Sequence, residues 1–103
     1  MVQVTVKVHS ILKEVVGSPT LVVGVPDNSS VKDVFDEFLY KFREALDQRY
    51  EFDAGERDFL KYFILSLNGT ALSKLGTSEA RVKEGDVVDI LEPIAGGELE
   101  NLS

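Results

Sequence analysis

The chain has 103 residues, 44% of them hydrophobic and 28% charged, which is enough for one core and too little for two. Its net charge is -7, from 18 acidic against 11 basic residues, so no surface is suited to neutralising phosphates and a nucleic-acid partner is not expected. There is no cysteine, which rules out disulfides, thiolate metal sites, cysteine nucleophiles and side-chain persulfides.

The N-terminal segment "VQVTVKVH" sets Val2, Val4, Val6 and Val8 on one face and Gln3, Thr5, Lys7 and His9 on the other. Strict alternation with β-branched residues predicts a strand. "SILKEVVGSP" reads as a turn or short helical bend closed by Gly17 and Pro19. "TLVVGV" follows as a second strand, and the moderate loop between the two predicts an antiparallel hairpin. In "PDNSSVKD", Ser30 and Asp33 have the spacing of a capping box. Beyond it Val31, Val34, Phe35, Phe38, Leu39, Phe42, Ala45 and Leu46 recur at helical spacing. That spacing predicts an amphipathic helix of roughly four to five turns, its apolar stripe laid on a sheet. Its phenylalanines read as core filling rather than as a cofactor box.

"DQRYEFDAGERDFLK" is a polar connector anchored by Tyr50, Phe52, Phe59 and Leu60, with room for a short helix from Gly55 onward. "YFILSL" is a third strand, and Asn68-Gly69 after it is a tight-turn signal. "ALSKLGTSEARV" reads as irregular, with room for a short edge strand. "KEGD" makes a turn, and "VVDIL" is the last strand. Asn28 and Asn68 both stand in N-x-[ST] patterns, read here as turn chemistry. The first segment lacks the apolar core of a signal peptide, and no apolar run is long enough to span a bilayer. The cytoplasm is therefore the expected address, with no membrane partner.

One main helix cannot cover both faces of a sheet, so the class is α+β with the helix on one side. The first and last strands are the most apolar, and they are expected to pair parallel at the centre. The predicted architecture is a β-grasp, or ubiquitin-like, roll: a mixed sheet of roughly four to five strands with one helix on one face. Residues 1–93 form this domain, 94–97 a flexible Gly-Gly tail, and 98–103 an extension.

Little in the chain points to catalysis. His9 stands alone at an outward strand position with no evident partner. "DAGERD" lacks the ligand order of a calcium loop, and no phosphate-binding loop or H-E-x-x-H motif occurs. The expectation is a protein without a resident metal or cofactor, acted upon by others. An acidic surface suits partners rimmed with Lys and Arg. The C-terminal Gly96-Gly97 then acquires interest. Lacking Cβ atoms, the pair can thread a narrow channel and lie straight in another protein's active site. A carboxylate ending there is a group that an ATP-using enzyme can activate.

"VKEGDVVDILEPIAGG" resembles the C-terminal signature of the MoaD/ThiS family of ubiquitin-like sulfur carriers. "ILKEVVG" is similar to the family's element after its first strand, and "SLNG" to the turn after its third. The resemblance covers residues 1–97. It implies a sulfur carrier of the kind that serves as the small subunit of molybdopterin synthase. Such a carrier is adenylated at its last glycine by an E1-like enzyme using ATP and converted to a thiocarboxylate. The synthase large subunit then takes the sulfur for the molybdenum or tungsten cofactor. By this resemblance Gly97 is the residue activated and thiolated, and Gly96 is the slender position in the partner's channel. Pro93, Ile94 and Ala95 guide the tail, and Leu91 is an apolar docking contact.

Two positions depart from the pattern. Glu92 stands where the family has a proline, which leaves the tail's exit less rigid. Gly97 is joined by an amide bond to Glu98, so it has no free carboxylate. The expectation is a precursor cut after Gly97 by a peptidase, with the acidic "ELENLS" removed. A second expectation keeps the fold and changes the acceptor, as a ubiquitin-like modifier of lysines or a sulfur donor to tRNA. A third is an interaction module in which Gly-Gly is a passive bend.

Overall fold

In the computed structural model, which describes residues 1–49 and 63–91, the valine alternation becomes strand β1 (Val2–Val8). Val4, Val6 and Val8 are buried in the core while Gln3 and Lys7 face outward. Helix α1 (Ser10–Val16) comes next. It buries Leu12 and stops at Gly17, whose φ of 85° belongs to the left-handed region and whose N–H donates to the Lys13 carbonyl. The chain returns as β2 (Thr20–Val25), antiparallel to β1 from Val2↔Val25 to Lys7↔Thr20. The hairpin read from the sequence is present, and the bend between its strands is a helix.

Helix α2 (Val31–Lys41) opens on the expected capping box. The Ser30 hydroxyl accepts from the Asp33 N–H at 3.1 Å, and the Asp33 carboxylate accepts from the Ser30 N–H at 2.9 Å. Two N–H groups that the first turn would strand are thereby satisfied. The anticipated single helix bends at Phe42 (φ -112°, ψ 20°) and continues as α3 (Arg43–Arg49). The Leu46 N–H still donates to the Phe42 carbonyl at 2.9 Å, so the register survives the bend and Leu46 stays buried. Phe35 packs edge-on against Phe63 at 5.7 Å between centroids, and Phe38 lies between Phe35 and Phe42. The aromatic stripe is core, as its spacing predicts.

Strand β3 (Ile64–Leu67) turns through Asn68-Gly69 into the two-residue β4 (Thr70–Ala71). Asn68 (φ 49°) and Gly69 (φ 91°) both take left-handed conformations, the combination a two-residue hairpin of matching twist requires. Asn28 is also left-handed at φ 67°, so both asparagines have turn roles. The stretch after β4, read as irregular, contains a short helix, α4 (Lys74–Glu79), capped by the Ser73 hydroxyl on the Gly76 N–H. A glycine inside it and no apolar periodicity hid it from pattern reading. The segment after α4 is sewn to the start of α2: the Val31 N–H donates to the Ala80 carbonyl and the Val82 N–H to the Ser29 carbonyl, each at 2.9 Å.

Strand β5 (Val87–Leu91) completes a mixed sheet in the order β2-β1-β5-β3-β4. It runs parallel to β1 and antiparallel to β3, as the β-grasp expectation requires, with helix α2 over one face. The connector anchors Tyr50, Phe52, Phe59 and Leu60 and the helix expected from Gly55 lie outside the described residues. Among the described residues no helix is long and apolar enough to cross a membrane.

Phe38→Ala removes a fully buried ring and is expected to cost about 3–5 kcal/mol. Ser30→Ala, which removes the cap, should cost about 1 kcal/mol. Urea denaturation followed by circular dichroism measures both, and equal losses would contradict the ring's central place in the core.

Candidate functional site

Gly96-Gly97 follows shortly after β5 in the chain, so a site around it is built outward from β5. Its start is held by a compact polar knot. The turn before it places Gly85 at φ 85°, a conformation in which a side chain is strained. Across that turn the Asp86 N–H donates to the Lys83 carbonyl at 3.0 Å, and the Asp86 carboxylate accepts from the Lys83 N–H at 2.8 Å. The turn is tied to β1 by the Gly85 N–H on the Gln3 carbonyl and the Gln3 N–H on the Glu84 carboxylate. It is tied to the other side by Asn68. That side chain accepts from the Val87 N–H at 2.9 Å and donates to Asp86 at 3.2 Å, while its backbone N–H donates to the Val87 carbonyl at 2.8 Å. Asp86 is thus a nearly buried carboxylate with donors on two sides. The "KEGD" and "NG" signals, far apart in sequence, form one structure.

Past the knot, β5 alternates between two environments. Val88 and Ile90 are fully buried against the helix side. Val87, Asp89 and Leu91 lie on the opposite face, over which no helix lies among the described residues, each half-buried. Leu91, the last described residue, sits opposite Ile64 on β3, and Ile64 is 40% exposed. Of the residues singled out from the sequence, the half-buried Leu91 thus stands at the end of β5 beside the exposed side chain of Ile64. Pro93, Ile94, Ala95, Gly96 and Gly97 lie outside the described residues, as does Glu92.

His9 is exposed, as its outward strand position predicts, but it is not alone: its Nε2 lies 3.0 Å from an Asp89 carboxylate oxygen across the β1–β5 junction. Parallel pairing sets Lys7 beside Asp89, so His9 reaches back one pleat on the same face. The sequence predicts the parallel arrangement but not the register that creates this pair. The pair is substantially open to solvent, with His9 48% exposed, so its effect on stability is slight. Among the described residues no group of three or more His, Cys, Asp or Glu side chains could hold a metal ion. What this end of the sheet offers is a strand paired on both sides, an apolar pair at its tip and a small polar couple beside them.

The protein-family model for the ThiS family matches residues 6–97. Among solved structures, SAMP1 from Haloferax volcanii is 30% identical and superposes with a TM-score of 0.67 over 92% of this chain and 99% of that one. The small archaeal modifier protein 1 (SAMP1) from Methanosarcina acetivorans is 25% identical, with a TM-score of 0.71 over 94% of this chain and 98% of that one. A Pyrococcus furiosus protein described as a molybdopterin converting factor subunit 1 is 20% identical, covers 91% of this chain and 100% of its own, and shares the fold at a TM-score of 0.68. Among curated protein sequences none matches.

Asn68→Ala deletes both side-chain bonds that fasten β5 to the β3–β4 turn. It is expected to lower stability by about 1–2 kcal/mol and to speed amide hydrogen exchange at Val87 more than at Val23. Uniform acceleration at both amides would show that the knot does not act locally.

Proposed function

The chain belongs to the ThiS family, and from that premise we propose that it is a ubiquitin-like sulfur carrier loaded at Gly97. The observation that carries this reading is where the family match stops. It runs to residue 97, the second glycine, and takes in none of residues 98–103. The family pattern and the chemistry then ask for the same thing, a chain ending at Gly97.

The steps follow from the tail's composition. Hydrolysis of the Gly97–Glu98 peptide bond by a processing peptidase adds water and frees the Gly97 carboxylate. An E1-like enzyme brings ATP. A carboxylate oxygen attacks the α-phosphorus, forming the acyl-adenylate and releasing pyrophosphate. A sulfur donor then attacks the activated carbonyl and expels AMP, which leaves a terminal thiocarboxylate. No cysteine is needed at any step, in keeping with a chain that has none. Gly96 and Gly97 present no side chains to a narrow channel, with Pro93, Ile94 and Ala95 leading into it and Leu91 docked at its mouth. The role is that of a protein substrate rather than an enzyme.

The finer reading is delivery of this sulfur to the large subunit of molybdopterin synthase, for the dithiolene of the molybdenum or tungsten cofactor. It rests on the C-terminal signature "VKEGDVVDILEPIAGG". A second reading has an observation of its own. The small archaeal modifier proteins at 30% and 25% identity favour a modifier joined through Gly97 to lysines of other proteins, with tRNA thiolation as a related fate.

The test is incubation of two forms, one ending at Gly97 and one at Ser103, with an E1-like enzyme, ATP and sulfide. The shorter form should gain the mass of one sulfur in exchange for one oxygen, and the longer form should stay unchanged. Gly97→Ala in the shorter form should reduce charging severely. Failure of the Gly97-ended form with every cognate adenylating enzyme overturns the carrier reading. Conjugates carrying a Gly97 isopeptide on lysine in the native cell would move the assignment to the modifier.

A further inference from the structure

An asparagine followed by glycine carries its own nucleophile. The backbone nitrogen of the glycine attacks the side-chain carbonyl carbon of the asparagine and closes a five-membered succinimide. The NH2 group leaves as ammonia, taking the proton of the attacking N–H. Water then opens the ring to aspartate, or to isoaspartate when the main chain stays joined through the side-chain carbon. Glycine favours the step because no side chain shields its nitrogen. The chain contains one such pair, Asn68-Gly69, whereas Asn28 and Asn101 precede Ser29 and Leu102. Both residues of the pair are exposed at the β3–β4 turn. Nothing lies within 4 Å of the point where a Cβ on Gly69 would stand, so the turn is open to water.

The polar knot opposes the reaction. The Asn68 amide is held at both ends, its oxygen by the Val87 N–H at 2.9 Å and its nitrogen on an Asp86 oxygen at 3.2 Å. Ring closure expels that nitrogen and with it the bond to Asp86. We propose that Asn68 is a site of spontaneous deamidation, protected while the knot is closed and converted when it opens, and that the product keeps the knot from closing again. The inference is independent of the sulfur chemistry. In the aspartate product a carboxylate oxygen replaces the donor that faced Asp86. Asp86 is nearly buried, and its other oxygen already accepts from the Lys83 N–H at 2.8 Å. Two like charges then meet at hydrogen-bond distance with no proton between them. In the isoaspartate product the main chain gains a methylene inside a two-residue turn whose length sets the pairing of β3 with β4. Either change loosens Val87, the first residue of β5. Each molecule thus keeps a one-way covalent record of the opening of its β5 anchor.

The experiment uses the full chain of residues 1–103, kept in warm, mildly alkaline buffer and sampled over time. Peptide mass spectrometry should find the gain of one mass unit at Asn68 ahead of Asn28 and Asn101, and severalfold slower than in the same chain held unfolded in urea. Asp86→Ala removes the acceptor of the amide and should bring the folded rate severalfold closer to the unfolded one. Ser30→Ala, which weakens the fold at the cap of α2, controls for general loosening and should accelerate the reaction less. The deamidated protein, separated by its extra negative charge, should exchange the Val87 amide about fivefold faster than the parent, the equivalent of one lost hydrogen bond, with Val23 unaltered. Asn68→Asp should reproduce that exchange. The comparison of folded with unfolded chain needs no variant, so a failure of Asp86→Ala to fold leaves the proposal open to refutation. Conversion of the folded chain as fast as the unfolded one, or equal acceleration by Asp86→Ala and Ser30→Ala, overturns it. So does a folded chain that stays unmodified while the unfolded one is converted, or a deamidated protein whose Val87 exchange matches the parent's.

Discussion

The pairing of β5 on both its sides is the constraint on which the rest of this structure depends. A strand at an edge can peel or slide, whereas one hydrogen-bonded to β1 and to β3 must break two ladders to move. The polar knot of Asn68, Asp86 and Gly85 fixes where β5 begins, and the burial of Val88 and Ile90 fixes which face each residue takes. A slip of one residue would turn both into solvent and bring Asp89 into the core. The last described residue, Leu91, therefore has a set position and a set direction. For the carrier role proposed above, a strand end held in place lowers the entropy lost on docking.

The two faces of the sheet divide the work. Helix α2 saturates one of them with Phe35, Phe38 and Leu39, closed below by Phe63 and Leu46. The other face has no described helix over it. It presents Ile64 and Leu91 together, with His9 and Asp89 next to them. Among the described residues, stability thus rests on the helix-covered face. Changes on the open face should spare the fold, while changes in the phenylalanine stripe should damage it wherever the partner binds.

Much of this was legible in the sequence, for reasons that can be traced to particular residues. Val2 to Val8 alternate without interruption, and Val31 to Leu46 repeat at helical spacing, so local pattern and tertiary burial agree. Ser30 with Asp33, and Asn68 with Gly69, announce their conformations through side-chain hydrogen bonding and left-handed backbone. The features that escaped depend on contacts between distant segments. The His9–Asp89 pair exists because of a parallel register that no local signal encodes. The turn holding Gly85 and the turn holding Asn68 each look complete alone, yet they share hydrogen bonds across the sheet. Helix α4 owes its place to the Ser73 cap and to Thr77, whose hydroxyl donates to the Lys74 carbonyl at 2.6 Å, rather than to an apolar stripe. Among the site residues read from the sequence only Leu91 is described, at the end of β5 opposite Ile64.

The chemistry of the tail turns on one bond. While Gly97 is an amide to Glu98 its carbonyl has no leaving group that ATP can supply and no oxygen free to attack phosphorus. The carrier reading therefore requires that the chain be shortened in the cell before it is used. Intact-mass spectrometry of the protein isolated from its own cell tests this most directly. The account predicts molecules that end at Gly97, a fraction of them bearing sulfur in place of one terminal oxygen. A population that retains residues 98–103 throughout, with no sulfur at the terminus, would contradict it.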